Sequence, residues 1–127
     1  MPTIFERIAR GEIPSYKVWE DEHHFAFLDI NPRVRGHTLV IPRRATDGLF
    51  DMDAKAYAAL WAAAAKVADK LKRELQCARV CVGVYGFEVP HVHIHLFPAN
   101  ELADVPIPPV NERAKAELPE LARRLAM

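Results

Sequence analysis

The pattern of apolar and polar residues along the chain predicts two helices in the first 75 residues. A short amphipathic segment, Ile4–Ala9, lies near the start. The longest periodic stretch is 53–75, where apolar residues recur at the spacing of one helical face. Asp51 or Asp53 is a suitable N-cap for this helix, and basic residues near its end suit the helix dipole.

Runs of aromatic, β-branched and alternating residues predict five strands. These runs are 16–20, 24–30, 37–41, 80–84 and 90–97. The order of helix, three strands, long helix, two strands and final helix predicts an α+β fold. We expect a mainly antiparallel sheet of about five strands with one long helix, a short N-terminal helix and a C-terminal helix.

The length and composition are those of one globular domain. The chain has 127 residues, of which 50% are hydrophobic and 27% charged, so disordered, collagen-like and coiled-coil proteins are excluded. From Pro98 to Pro109 the chain is rich in proline and is expected to be an extended arm. Asn111 can then cap the terminal helix, whose second half begins at Pro119.

The charge balance argues against nucleic acid and membrane partners. Seventeen basic and seventeen acidic residues give a formal net charge of zero, whereas such partners normally require a basic excess. The longest apolar run, 56–65, is half the length of a membrane span, and no secretory signal is visible. Cys77 and Cys81 are expected to be reduced thiols on one face of a strand, and the protein is expected to be cytoplasmic.

Three of the six histidines lie in the run H-V-H-I-H-L at 91–96. On a strand this alternation directs His91, His93 and His95 to one face, while the aliphatic residues between them are expected to pack on the long helix. Solvated strand faces rarely carry three alternating histidines. His23 and His24, next to acidic residues, are instead expected to lie in a solvated turn.

Two chemistries are compatible with this strand. Imidazoles at alternate positions can bind zinc, although a further carboxylate or thiolate is normally needed and only Glu88 is near. Alternatively, one imidazole attacks phosphorus while its neighbours orient it and bind phosphate oxygens. A basic cluster around His37 favours the second chemistry. The arginines of this cluster are Arg33, Arg35, Arg43 and Arg44.

The chain resembles the histidine triad (HIT) family of nucleotide hydrolases and transferases over roughly residues 3–99, leaving 100–127 as an arm and helix. The signature is H-V-H-I-H followed by L-F-P. Two upstream blocks agree with it: I-F-E-R-I-A-R-G-E-I-P, and F-A-F-L-D-I-N-P followed by G-H-T-L-V-I-P. Three blocks in the right order are far more specific than H-x-H alone.

The resemblance implies a role for each matching residue. His93 matches the nucleophile that attacks the α-phosphorus and is transiently nucleotidylated, and His91, His95 and His37 match the supporting histidines. Asp29 matches the residue that binds the ribose hydroxyls, and backbone donors near Gly86 are expected to stabilise the phosphoryl oxygens. Apolar positions expected to contact the base are Ile4, Phe5, Ile8, Ile13, Phe27, Ile30 and Leu39; any one of them alone is equally compatible with core packing.

The resemblance also implies the substrates and the assembly. We expect a purine nucleotide conjugate as substrate, namely a phosphoramidate, an acyl-adenylate or a dinucleoside polyphosphate, no cofactor, and a homodimer whose two sheets join. Phe87 and Glu88 stand where many members have glutamine and serine or threonine, so a purine-nucleotide-binding module with degenerate catalysis is an alternative. A metal-dependent hydrolase whose metal is bound by His91 and His93, with His37 as an optional third ligand, is a weaker alternative.

Some bacterial members carry a structural zinc site, built from N-terminal cysteines and a histidine. Thr3, Glu6 and Ala45 stand near those places in this chain. We therefore predict that the protein binds no metal.

Overall fold

A five-stranded antiparallel sheet organises the computed structural model, which describes residues 1–127. Its strand order is β1-β2-β3-β5-β4. The strands are β1 Lys17–Glu20, β2 His24–Leu28, β3 Thr38–Pro42, β4 Arg79–Gly83 and β5 Ile94–Ala99. The helices are α1 Ile4–Ala9, α2 Ala54–Leu75, α3 Glu112–Ala116 and α4 Leu118–Leu125. The predicted α+β class and the order of elements are confirmed.

The helix ends follow from their capping residues. The Thr3 side chain accepts from the backbone of Glu6, and the Glu6 side chain accepts from Thr3, which completes a capping box at the start of α1. Asp53 caps α2 by accepting from the Ala56 amide. Asn111 caps α3, as predicted. No helix of the chain is both long and apolar enough to cross a membrane.

The last strand begins later than the sequence predicts. We expected a strand over 90–97, but the ladder between β3 and β5 ends at the pair Val40 and Ile94. Just before this pair, the Val92 amide donates to the carbonyl of Thr46 at 2.7 Å instead of to β3. His91 and His93 therefore lie in the segment that leads into β5, and only His95 lies on the strand itself.

Two buried apolar clusters cover the two faces of the sheet. On one face α2 packs against the strands, and Val92, Ile94 and Leu96 are buried there, which confirms their predicted packing on the long helix. On the other face α1 covers a second cluster. Its buried members are Phe5, Ile8, Phe25, Phe27, Leu39 and Ile41. The strand face that carries the histidines is thus the face under α1.

Two smaller predictions are wrong. Cys77 does not share a strand face with Cys81, because the left-handed residue Gln76 (φ 52°) ends α2 and Cys77 lies in the connection to β4. Both cysteines are free thiols. His24 is not solvated: only 6% of it is exposed, and its Nδ1 lies 2.9 Å from an Asp21 carboxylate oxygen. Its neighbour His23 is exposed, as predicted.

Candidate active site

Four histidines converge on the sheet face beneath α1. His91 is fully buried, while His37 and His93 are 2% and 7% exposed. The ring centroids of His93 and His95 are 4.9 Å apart, and those of His37 and His95 are 5.2 Å apart. The structure therefore brings together the four histidines that the sequence singled out.

One hydrogen-bonded chain fixes the protons of His37 and His95. The Arg33 amide donates to His37 Nδ1 at 3.1 Å, so the proton of a neutral His37 ring is on Nε2. That Nε2 lies 2.9 Å from His95 Nδ1, which must then accept. The single N–H proton of a neutral His95 ring is consequently on Nε2, and this N–H group is free to donate to a ligand.

A second chain fixes His91 and His93. His91 Nε2 donates to the Pro42 carbonyl at 2.7 Å, and His91 Nδ1 lies 2.6 Å from the Thr3 hydroxyl. His93 Nδ1 donates to the His91 carbonyl at 2.8 Å. A neutral His93 therefore keeps an unprotonated lone pair on Nε2, the state that a nucleophile or general base requires.

Burial keeps the supporting rings neutral. Loss of water around the rings lowers the pKa of His37, His91 and His95, in the last case to about 4. Neighbouring histidines lower the pKa of His95 further, whereas Asp29 opposes the shift. At neutral pH each of these three rings thus carries one proton, as the two hydrogen-bonded chains require.

Asp29 stands beside this cluster at the end of β2. Its Oδ2 is 3.6 Å from His37 Nε2, and its Oδ1 accepts from the Asn31 amide at 2.8 Å. Its own amide donates to the His37 carbonyl. The carboxylate lines the cavity described next, where an acceptor for hydroxyl groups is available.

A cavity of about 540 Å³ opens in front of His93 and His95. One wall is the β2–β3 connection, with Asp29, Asn31 and Arg33. The opposite wall is the loop after β4, residues 85–88, which includes Gly86 in a left-handed conformation (φ 73°). A third wall is formed by residues 103–106. A ligand of nucleotide size is compatible with this volume.

The third wall was missed by the sequence interpretation. We expected an extended arm after Pro98, but β5 continues to Ala99 and a 3-10 turn follows at Leu102–Asp104. Asp104 stabilises this turn by accepting from the amides of Asn100 and Glu101. Asp104, three residues after Glu101 at the start of the turn, was the available signal, because its side chain accepts from the Glu101 amide.

Two aromatic residues that the sequence interpretation also missed support the histidines. Phe97 stacks against His95, with centroids 5.8 Å apart, and lies 4.5 Å from the His37 ring. Tyr85 lies 5.0 Å from His95 on the loop side. Phe97 belongs to the L-F-P that follows the histidines, but this motif does not predict that its ring stacks on His95. Tyr85, next to β4, gave no signal in the sequence.

The four arginines that were predicted to cluster around His37 do not form a single basic patch. Arg33 lines the cavity, and Arg35 lines a neighbouring depression. Arg43 lies beyond the opposite end of β3, where it bonds the Ala9 and Asp21 carbonyls and the Glu20 carboxylate. Arg44 does not line the cavity. The five residues of β3 separate the two pairs, since each strand residue rises about 3.3 Å.

The apolar positions expected to contact a base fall into two groups. Phe5, Ile8, Phe27 and Leu39 are buried in the cluster under α1, and Ile13 packs against it. The Phe5 ring meets His93 edge-on at 4.8 Å, so this cluster borders the candidate nucleophile. Ile4 and Ile30 are 49% and 76% exposed, and none of the seven lines the cavity. Their contact with a base stays a prediction.

The geometry favours a different metal-ligand set from the one proposed from sequence. Asp29, His37 and His95 offer ligand atoms that lie within 4.8 Å of one another. Both ring nitrogens of His91 already have protein partners, so it does not join them. A metal at the three residues would displace the proton between His37 and His95.

The positions near the zinc ligands of some relatives do not fit zinc. Thr3 offers a hydroxyl that is already hydrogen-bonded, and Ala45 has no donor side chain. The Glu6 carboxylate accepts from the amides of Thr3 and Ala45 at 3.0 and 3.3 Å. Structural zinc requires a closed set of thiolate, imidazole or carboxylate ligands, so these residues would not complete one.

Comparison with known proteins identifies the family to which the chain is similar. The HIT domain family matches residues 10–102 of the chain. An uncharacterized HIT-like protein of Borreliella burgdorferi is 40% identical over 102 residues, which cover 75% of this chain and 73% of that protein.

Solved structures share the fold. A member of the HIT family from Bacillus subtilis superposes with a TM-score of 0.80 at 28% identity. The alignment covers 99% of this chain and 96% of the Bacillus chain. A histidine triad nucleotide-binding protein from Candida albicans gives 0.66 at 27% identity, covering 98% of both chains. A HIT family hydrolase from Legionella pneumophila has a TM-score of 0.67 at 30% identity, and the alignment covers 75% of this chain and 90% of the Legionella chain.

Proposed function

Because the chain belongs to the HIT domain family, we propose that it is a nucleotide hydrolase or transferase that works through His93. The observation that carries the proposal is the free lone pair of His93 Nε2, fixed by the bond from Nδ1 to the His91 carbonyl. The names of the Legionella hydrolase and of the Candida nucleotide-binding protein support the same class.

The proposed reaction has two displacements at one phosphorus atom. His93 Nε2 forms a bond to the α-phosphorus while the bond from phosphorus to the leaving group breaks, and the leaving group takes a proton from water. Water then attacks the nucleotidyl-histidine and gives a proton to the hydroxide left by the first step, while the phosphorus–nitrogen bond breaks and its electron pair returns to Nε2. Two displacements through a covalent intermediate replace one difficult step.

The neighbouring groups fit this scheme. His95 Nε2–H is a free donor at the cavity and would stabilise negative charge on a phosphoryl oxygen. The Gly86 backbone at the cavity wall and the Arg33 side chain supply further positive potential. We assign Asp29 to the ribose hydroxyls, since its carboxylate accepts hydrogen bonds and lines the same cavity.

The charge of the cavity favours some leaving groups over others. Glu88 and Asp104 line two different walls of the cavity, and both carboxylates repel an anionic leaving group. We therefore propose that a phosphoramidate with an amine leaving group is preferred over a dinucleoside polyphosphate, whose leaving group is anionic. We also propose that the nucleotide of the substrate is a purine nucleotide and that the protein is cytoplasmic.

The proposed homodimer would join two sheets at an edge strand. The strand order leaves β1 and β4 as edges. β4 is the better candidate because Val82 on it is 49% exposed and Arg79 is its only charged residue. Sedimentation velocity measures the association state, and a monomer at all concentrations would refute this part.

Substitution of His93 tests the function. The variant His93→Ala should lose turnover by at least about a thousandfold, as expected for removal of a nucleophile, while AMP binding is largely kept. His23→Ala is the matched control, because it removes an exposed histidine away from the site. Turnover is measured on a panel of phosphoramidate, acyl-adenylate and dinucleoside polyphosphate substrates, and binding by calorimetry. Full activity of His93→Ala would reject the mechanism.

Nucleotide binding without catalysis is the second candidate function. The acidic Glu88 at the cavity is the observation that favours it, since a carboxylate near phosphate opposes turnover. It predicts nucleotide binding with no product from any substrate of the panel. The metal-dependent alternative, at Asp29, His37 and His95, predicts that chelators remove metal and activity together.

A further inference from the structure

The first residue before α1 touches the histidine cluster directly. Thr3 is the N-cap of α1, and its hydroxyl oxygen accepts from the Glu6 amide at 3.0 Å. The same oxygen lies 2.6 Å from Nδ1 of His91, 88 residues further along the chain. A helix cap and a ring of the site thus share one hydroxyl group.

The direction of this contact follows from the other bonds of His91. Its Nε2 lies 2.7 Å from the Pro42 carbonyl, which only accepts, so Nε2 carries the proton of the neutral ring. Nδ1 must therefore accept, and Thr3 donates its hydroxyl proton. Because His91 is fully buried, loss of the threonine hydroxyl would leave its Nδ1 without a protein donor.

His91 in turn holds His93 by its backbone. The His91 carbonyl accepts from His93 Nδ1 at 2.8 Å, the bond that leaves the His93 lone pair on Nε2. The His91 ring is pinned at both nitrogens, and the ring of Phe5 contacts both His91 and His93 edge-on. The position of this carbonyl therefore depends on how the His91 ring is held.

We propose that Thr3 is a positioning residue of the site, which orients His91 and, through the His91 carbonyl, the His93 ring. This inference rests on the proposed function of His93. Glu6 supports the device, since its carboxylate holds the amides of Thr3 and Ala45. Hydrogen bonds from those amides also lower the pKa of Glu6, so its carboxylate remains ionised. Glu6 and His93 are the titratable groups whose charges act on His91. Hydrogen bonds thus join Thr3, Glu6 and Ala45, the positions near the zinc ligands of some bacterial relatives.

Three substitutions separate the two roles of Thr3. Thr3→Ser keeps both the cap and the hydroxyl donor. Thr3→Asp keeps a good cap but has no proton to donate, so it stabilises a proton on His91 Nδ1 instead. Thr3→Ala loses both. As a control for loss of a cap alone, Asp53→Ala removes the cap of α2, which lies outside the site.

The expected results are specific to positioning. Thr3→Ala should lower kcat about tenfold, the effect of one hydrogen bond, with little change in KM. Asp53→Ala should leave kcat unchanged, and Thr3→Ser should keep kcat near that of the unsubstituted protein. In ¹⁵N spectra of the histidine rings, Thr3→Asp should shift His91 Nδ1 toward the protonated state and raise the pKa of His91. Changes at the His93 nitrogens should accompany the loss of kcat in Thr3→Ala.

Two results would overturn the inference. One is a Thr3→Ala protein with unchanged kcat and unchanged His91 signals. The other is a loss of kcat in Thr3→Ala no greater than in Asp53→Ala, since helix stability alone would then explain it. If the unsubstituted protein turns over no substrate, the proposed function of His93 fails, and the ¹⁵N signals of the variants still decide whether Thr3 fixes the two rings.

Discussion

At the scale of single residues, the site is defined by which ring nitrogen carries a proton. The partners that decide this are the Thr3 hydroxyl, the Arg33 amide and the carbonyls of Pro42 and His91. Three of them are backbone groups, and their identity leaves no trace in the sequence. The motif therefore predicts which histidines meet, while only the structure assigns a donor or acceptor role to each nitrogen.

Stability should fall as the pH drops from about 6.5 toward about 4. The ordinary pKa of 6.5 applies to the unfolded chain, whereas burial lowers the pKa of His95 to about 4 in the folded protein. Between these values the unfolded chain binds more protons, so acid favours unfolding, and each such histidine contributes at most about 1.4 kcal/mol per pH unit. Below about 4 the contribution of His95 is fully lost.

Urea unfolding at about pH 7 and about pH 5 measures this effect. His95→Asn should flatten the dependence on pH, and the exposed His23→Asn should leave it unchanged. The carboxylates with a lowered pKa, Glu6, Glu20 and Asp21, lose their contribution at lower pH, because their ordinary pKa values are 4.5 or 3.8. Equal slopes in His95→Asn and the unsubstituted protein would contradict the explanation.

At the scale of elements, the periodic segments were predicted well and the connections were not. The sequence predicts α1, α2 and the five strands, because their apolar faces repeat at helix or strand spacing. It extends the last strand too far toward residue 90, since alternation alone cannot show that Val92 bonds to Thr46 instead of to β3. The 3-10 turn after β5 depends on local hydrogen bonds of Asp104, which periodicity does not report.

The turn at Leu102–Asp104 should contribute to substrate binding. Asp104→Ala removes the acceptor for the amides of Asn100 and Glu101, so the wall at 103–106 should loosen. We expect a severalfold increase in KM and a loss of about 1–2 kcal/mol in the free energy of unfolding.

Asp53→Ala, which loses one cap outside the cavity, is the control for the loss of stability, with a cost of about 1 kcal/mol. Kinetics with the best substrate and urea unfolding give the two quantities. A KM that stays at the unsubstituted value while Asp104→Ala is destabilised would show that the turn has only a structural role.

At the scale of the whole molecule, a formal net charge of zero hides a local arrangement of charge. Arg33 faces the cavity, and acidic Asp29, Glu88 and Asp104 line it as well. The bulk neutrality still argues against a long polyanion as partner. A small phosphate ester bound by neutral imidazole donors requires no overall basic surface, so the charge balance and the proposed substrate are compatible.

The central claim is that His93 becomes covalently nucleotidylated, and one measurement tests it most directly. The protein is mixed with an excess of an adenosine phosphoramidate, quenched within the first turnover, digested and analysed by mass spectrometry. The account predicts an AMP adduct on the peptide that contains His93, absent from His93→Ala and present in the control His23→Ala. Release of AMP by the unsubstituted protein with no adduct on His93, or an adduct on another histidine, would contradict the account.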